Sequence, residues 1–242
     1  MKQNPNVPVV ARIGEHLRFL REMGVGELRV PKGATRQPGT QPESREGLAE
    51  IRADLGECTR CPLHQDRHSI VFGDGNPRAD LMFVGEGPGR DEDQQGRPFV
   101  GRAGKLLNQI IEAMGLRRED VYIGNIVKCR PPNNRVPQRE EIDTCVPFIW
   151  RQLRAINPKI VCTLGSVAAQ TILQTQTAIS RIRGEFQVRD GLVILPTYHP
   201  AYLLRNPEKK REVWNDMQLI MARLGLQAPA RRPGSNPPGG SR

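Results

Sequence analysis

The apolar positions of this 242-residue chain follow two periods in turn. Three runs, 79–85 (ADLMFVG), 121–127 (VYIGNIV) and 159–165 (KIVCTLG), are short and nearly continuous in apolar residues, as in strands covered on both faces. Between them the period lengthens. Residues 102–114 (RAGKLLNQIIEAM) predict an amphipathic helix ending at Gly115, and 138–156 predict another, with Pro147 implying a kink or a late start. A short helix is predicted over 46–56, one over SVAAQTILQ (166–174) and an amphipathic one over 207–224. GEFQV and LVILPTYH predict an edge hairpin or two late strands. Strands alternating with helices predict an α/β fold, a three-layer sandwich around a mostly parallel sheet. Ligands in such sheets gather where the strands end at their C-termini. Three strand ends are unusual here: GEGPG after the first, Asn125 on the second and TYHPAYL after the last.

The flanks read differently. Residues 11–23 predict a short amphipathic helix with Ile13, Leu17 and Leu20 on one face, and 31–45 are a Pro/Gly/Ser/Gln linker. Residues 226–242 have the composition of a disordered tail. The expected division is therefore 1–45, 46–225 and 226–242. The net charge of +10 suggests a polyanionic partner, but its distribution weakens that inference. Residues 1–45 hold eight Lys/Arg against four Asp/Glu, and 226–242 hold three Arg and no acid, which leaves the centre at only +3. No apolar run approaches the roughly 18 residues of a membrane helix, and Met1–Val10 lacks the apolar core of a signal peptide. A cytosolic monomer, not bound to a membrane, is the expectation.

The five cysteines include one close pair, Cys58-x-x-Cys61, and a wide pair, Cys129 and Cys145. Disulfides are unusual in a reducing compartment, so the pattern points to a metal site plus one bystander. Zinc ribbons ordinarily close with a second tight pair. Four thiolates from distant segments suit an iron–sulfur cluster as well, and the residues alone leave the two open. Cys162, mid-strand among apolar neighbours, reads as a small buried hydrophobe.

In GEGPGRDEDQQGRPFVG (85–101) the glycines allow close backbone approach to a ligand. No GK[ST] follows, so this is not a phosphate-binding P-loop, and Glu86 would repel phosphate. A carboxylate there suits a developing cation or an activated water. Phe99, an aromatic in polar surroundings, either stacks on a ligand or anchors its loop. Asn125 is by default a turn former, yet its amide offers a donor and an acceptor side by side, matching uracil O4 and N3–H and rejecting cytosine. His199, at a strand-to-helix turn, is by default a structural hydrogen bonder. His16, His64 and His68 carry no assigned role, although His64 and His68 lie near the cysteine pair in sequence.

Taken together, GEGPG-x3-ED-x2-G-x-PFVG, Asn125 in GNIVKC, HPAYLL at 199–204 and the four cysteines resemble the family 4 uracil-DNA glycosylases over about residues 46–225. The resemblance implies the uracil-DNA glycosylase-like fold and a base-excision repair hydrolase that acts on uracil in DNA. It implies Cys58, Cys61, Cys129 and Cys145 as ligands of a [4Fe–4S] cluster, and Gly85, Glu86 and Gly87 as the loop lining the uracil pocket. Phe99 would be the stacking aromatic, Asn125 the base-reading amide and His199 the group near uracil O2. Glu92 and Asp93 match acidic positions beside the pocket, where one would help to exclude the thymine methyl.

Flipping uracil from a duplex costs a few kcal/mol, and HPAYLLR is the expected wedge, with Leu203 or Leu204 filling the stack and Arg205 on a phosphate. Catalysis is assigned to Glu86, His199 and Asn125. The loop 128–144 contains no histidine that could trap DNA covalently, and no lysine stands as an obvious imine nucleophile, so monofunctional turnover is expected. Rival readings are a glycosylase for another deaminated base, a non-catalytic zinc-dependent nucleic-acid-binding module and a nucleotide hydrolase.

Overall fold

The structure, a computed structural model, describes residues 46–227. The helix expected over 11–23, the linker 31–45 and nearly all of the 226–242 tail lie outside the described residues.

Six strands form one sheet: β1 (Asp74–Gly75), β2 (Leu81–Gly85), β3 (Tyr122–Asn125), β4 (Ile160–Leu164), β5 (Gln187–Arg189) and β6 (Leu192–Thr197), in the order β1-β3-β2-β4-β6-β5. The four central strands are parallel, and β1 and β5 are antiparallel edges. The late apolar runs are therefore a hairpin whose second strand joins the parallel core. Helices α1 (Leu48–Leu55), α2 (Arg90–Gln95), α3 (Arg102–Ala113), α4 (Arg139–Ile156), α5 (Ser166–Leu173), α6 (Ile179–Ile182), α7 (Pro200–Arg205) and α8 (Lys210–Leu224) surround it.

Alternation along the strands divides the interior into two cores. Met82, Val84, Tyr122 and Val161 pack with Ile51 and Leu55 of α1, Phe148, Ile149 and Leu153 of α4, and Ile172 of α5. Leu81, Phe83, Ile123 and Leu195 pack with Leu107 and Ile111 of α3, Leu203 of α7, and Val213, Met217 and Ile220 of α8. Cys162 is fully buried in this second core, as its neighbours predict.

Pro147 does not break α4, which runs unbroken from Arg139 to Ile156. Pro147 and Asp143, the residue four positions earlier whose carbonyl loses its helical donor, are both exposed, so water can satisfy that carbonyl. Among the described residues no helix is long and apolar enough to cross a membrane.

Candidate active site

β2 and β3 run in parallel register with Gly85 opposite Asn125. A Cβ on Gly85 would lie 2.5 Å from Asn125 Oδ1 and 2.6 Å from Phe99 Cζ, so only glycine lets the amide and the ring close over the strand end. Two residues on, a Cβ at Gly87 would meet Val127 Cγ2 at 2.7 Å, and the loop lies against the chain leaving β3. Val127 N–H donates to Glu86 O.

Phe99 is 5% exposed and sits at φ +52°, a conformation uncommon for a non-glycine residue. Several groups hold it there. Arg118 donates from Nη1 to Phe99 O (3.1 Å) and from Nη2 to Pro98 O (2.5 Å). Glu92 Oε1 accepts from Val100 and Gly101 N–H, both at 2.9 Å, while Oε2 accepts from Gly89 N–H at 3.1 Å. Gly104 lacks the Cβ that would strike the Phe99 backbone.

Glu92 lines the cleft described below, and Asp93 is buried. Glu92 is spent on the three amides just named, and Asp93 Oδ1 accepts from His68 N–H (2.9 Å) and Ser69 N–H (3.1 Å). Both carboxylates tie loops together, using the preference of carboxylates for clustered N–H donors.

His199 caps α7. Its Nδ1 accepts from Ala201 N–H at 3.1 Å, which places the proton of the neutral ring on Nε2. Burial, with a smaller contribution from the Arg205 charge, pushes its pKa down to about 4, so the ring is neutral near pH 7. The ring centroids of His199 and Phe99 lie 5.5 Å apart. Gly165, at the end of β4 with φ +89°, lies beneath His199; a Cβ there would approach His199 Cβ to 3.0 Å. Burial raises the Glu86 carboxyl above the usual glutamate range.

The loops after β2, β3 and β6 thus meet in a cleft of about 540 Å³. Glu86, Gly87, His199 and Arg205 line it, together with four residues that the motif reading overlooked: Arg90, Arg102, Asn134 and Arg135. Arg135 is committed to Glu141, donating to its two oxygens at 2.8 and 2.6 Å. Phe99 and Asn125 are buried and are not among its lining residues. Asn125 is 1% exposed, and its Oδ1 is a buried acceptor with no partner. The two wedge candidates separate. Leu203 is 1% exposed within the second core, whereas Leu204 is 37% exposed. Leu203 therefore cannot reach a partner without unpacking α7, and of the two leucines Leu204 is the accessible one.

Cys129 and Cys145 are buried in the first core, Cys58 and Cys61 pack against it, and the four thiols are near enough to bias one another's ionisation. Lys128 N–H donates to Cys145 Sγ and Arg67 Nη1 to Cys129 Sγ, each at 3.3 Å. His64 Nδ1 lies 2.8 Å from Cys61 O. Burial pushes Cys145 up to about 12 and raises Cys61 and Cys129. Among the described residues no three His, Cys, Asp or Glu side chains close to metal-holding geometry. The donor chemistry does fit a metal group: four thiols from three segments, two of whose sulfurs already receive N–H bonds. A bound cation would supply the compensation that buried thiolates need.

The uracil-DNA glycosylase superfamily model matches residues 72–218, which include every cleft residue named above. The chain is 46% identical over 180 residues to a type-4 uracil-DNA glycosylase of Thermotoga maritima, covering 72% of this chain and 94% of that protein. It is 43% identical over 192 residues to the type-4 enzyme of Archaeoglobus fulgidus, covering 76% and 96%. A type-5 uracil-DNA glycosylase of Pyrobaculum aerophilum is more distant, at 32% over 184 residues, 62% of this chain and 80% of that one. The chain belongs to the uracil-DNA glycosylase superfamily, within its type-4 family.

Proposed function

We propose that this protein hydrolyses the N-glycosidic bond of uracil in DNA, leaving an abasic site for base excision repair. One observation carries the reading: the orphaned Oδ1 of Asn125, beside the Phe99 ring at Gly85, the residue before the cleft-lining Glu86. A buried acceptor without a donor is costly unless a ligand completes it. Uracil N3–H supplies that donor and O4 takes the amide N–H, whereas cytosine presents the reverse pattern and leaves both groups unpaired.

In this mechanism the base leaves the stack, Leu204 fills the gap and Arg205 holds a backbone phosphate. Uracil lies on Phe99 and pairs with Asn125. Bond cleavage leaves positive charge on the sugar and negative charge on uracil. The Glu86 carboxylate stabilises the oxocarbenium-like sugar or directs water onto it, as carboxylates do in glycoside hydrolysis. The neutral His199 presents Nε2–H to uracil O2 as that oxygen gains charge, with no need to reorganise. No lysine is among the residues lining the cleft, so water is the nucleophile and the DNA strand stays intact.

Cys58, Cys61, Cys129 and Cys145 are proposed to hold a [4Fe–4S] cluster. Support comes from the proximity of the four thiols, the N–H bonds to two sulfurs and the type-4 relatives. Held by those four thiolates, the group would join the segment before β1 to the loop after β3 and to α4, a structural contribution rather than a chemical step.

The test is release of uracil from a uracil-containing oligonucleotide, with alkali to reveal abasic sites. Wild type should cleave and Asn125→Ala and Glu86→Ala should not. A folded wild type that leaves the oligonucleotide uncut would overturn the assignment, and β-elimination products formed without alkali would overturn the water mechanism.

A further inference from the structure

Lys128 is the one lysine whose side chain is fully buried among the described residues, and no step above uses it. Burying an ammonium costs several kcal/mol, and an apolar side chain of the same shape would be cheaper. Its neighbours explain where the charge is used. Ile126 N–H donates across to Gly85 O at 2.9 Å. The peptide is planar and trans, so the carbonyl of that same unit, Asn125 O, points the opposite way, toward β1. But β1 pairs only with Tyr122 and Ile123 and has ended by that level. Lys128 Nζ takes the place of the missing strand, donating to Asn125 O at 2.8 Å and to Gln152 Oε1 at 2.7 Å. Gln152 is fixed in turn, its Nε2 donating to Phe72 O (3.0 Å) and Tyr122 Oη (3.2 Å). The lysine backbone is also fixed, by its N–H to Cys145 Sγ (3.3 Å) and by its carbonyl, which accepts from Val71 N–H (2.8 Å).

We propose that Lys128 is the positioning residue for base recognition: it locks the Asn125–Ile126 peptide from the side that β2 cannot reach, and so aims the Asn125 amide at uracil. This rests on the assignment of Asn125 as the base reader. The peptide plane sets the direction of the Asn125 Cα–Cβ bond. That side chain has no partner of its own on Oδ1 to steer it, so its aim depends on the backbone. The same lysine links the aim of the amide to the four cysteines through Cys145.

The experiment uses the full chain as purified, with Lys128→Met, which keeps length and removes the donors, and Gln152→Met, which removes the brace one step behind. Inhibition by free uracil reads the base pocket alone, and affinity for an abasic-site oligonucleotide reads the rest of the DNA surface. Both variants should melt cooperatively and keep the wild-type metal content and near-400 nm absorbance. Lys128→Met should weaken inhibition by uracil at least tenfold and lower kcat/KM by ten- to a hundredfold, with abasic-DNA affinity within twofold of wild type. Gln152→Met should move the same two quantities in the same direction, by less. If Lys128→Met does not fold, Gln152→Met decides. Unchanged inhibition by uracil in the folded variant overturns the proposal, as does a parallel loss of uracil and abasic-DNA affinity, which would mark a general structural role. Failure of wild type to release uracil would instead overturn the functional assignment.

Discussion

Replacing Gly85 by alanine tests the site at its narrowest point. The new methyl would lie 2.5 Å from Asn125 Oδ1 and 2.6 Å from Phe99 Cζ, distances that van der Waals contact does not allow. Gly85 cannot retreat, because it is the last residue of an interior strand paired with Asn125. The Phe99 backbone cannot retreat either, held by Arg118 and by two amide bonds to Glu92 next to it. The ring and the amide must therefore turn away. Overpacking of this kind costs about 1–3 kcal/mol of stability, and in a domain of this size each kcal/mol lowers Tm by roughly 2–4 °C. The catalytic loss should be larger. Losing the stacking geometry removes about 1 kcal/mol, and misaligning two hydrogen bonds to the base removes about 1–1.5 kcal/mol each. Together these give about 3–4 kcal/mol, or roughly a hundred- to a thousandfold in kcat/KM. Single-turnover uracil release, alongside thermal melts, measures both effects. A folded Gly85→Ala protein with kcat/KM within threefold of wild type would refute the placement of the base between Phe99 and Asn125.

The pH profile separates Glu86 from His199. Burial raises Glu86 and lowers His199 to about 4, so kcat/KM should rise with pH along one acid limb set by Glu86, above the usual glutamate range. Glu86→Gln should abolish that limb, and a limb near 6.5 surviving in this variant would show a protonating imidazole instead. Cys145→Ala should lower the thermal midpoint and the near-400 nm absorbance together. A colourless wild-type protein containing zinc would reassign the metal. Leu204→Ala should slow release from duplex DNA several-fold more than from single strands, where no stack needs filling; equal slowing on both would remove Leu204 as the wedge.

Much of the architecture was legible because buried parallel strands leave an unmistakable trace. Leu81–Gly85, Tyr122–Asn125 and Ile160–Leu164 lie inside the continuous apolar runs. The elements that escaped had no such trace. β1 is two residues long, and α2 is RDEDQQ, with no apolar position to set a period. It forms because Glu92 caps it at Gly89 and its first turn is acidic, which suits the helix dipole. The site shows the same division. Motif spacing brought Gly85, Glu86, Asn125 and His199 to the strand ends, but it could not say which leucine of HPAYLL faced inward. That depends on the rotation of α7 against α3, a tertiary fact. Nor could it show which carboxylates hold loops, since Glu92 accepts three amides and Asp93 two that only the folded chain brings together.

Three of the residues missed by sequence reasoning share a role. Arg118 fixes Phe99, Lys128 fixes the Asn125 peptide, and Gly165 lets His199 settle where Ala201 N–H orients its ring. None needs to touch the base. Charge on uracil and sugar develops only as the bond breaks, so the groups that answer it must already be in place, because reorganising them would raise the barrier. A buried aromatic residue at φ +52° and an amide with an unpartnered oxygen are both unfavourable on their own. They persist because the groups behind them leave no alternative. That cost is thus carried by Arg118, Glu92 and Lys128, whose charged side chains are spent on backbone groups rather than on surface ion pairs alone. In sequence such residues are indistinguishable from solubilising charge; only the direction in which the buried backbone polar groups point, and hence what must satisfy them, reveals why they are where they are.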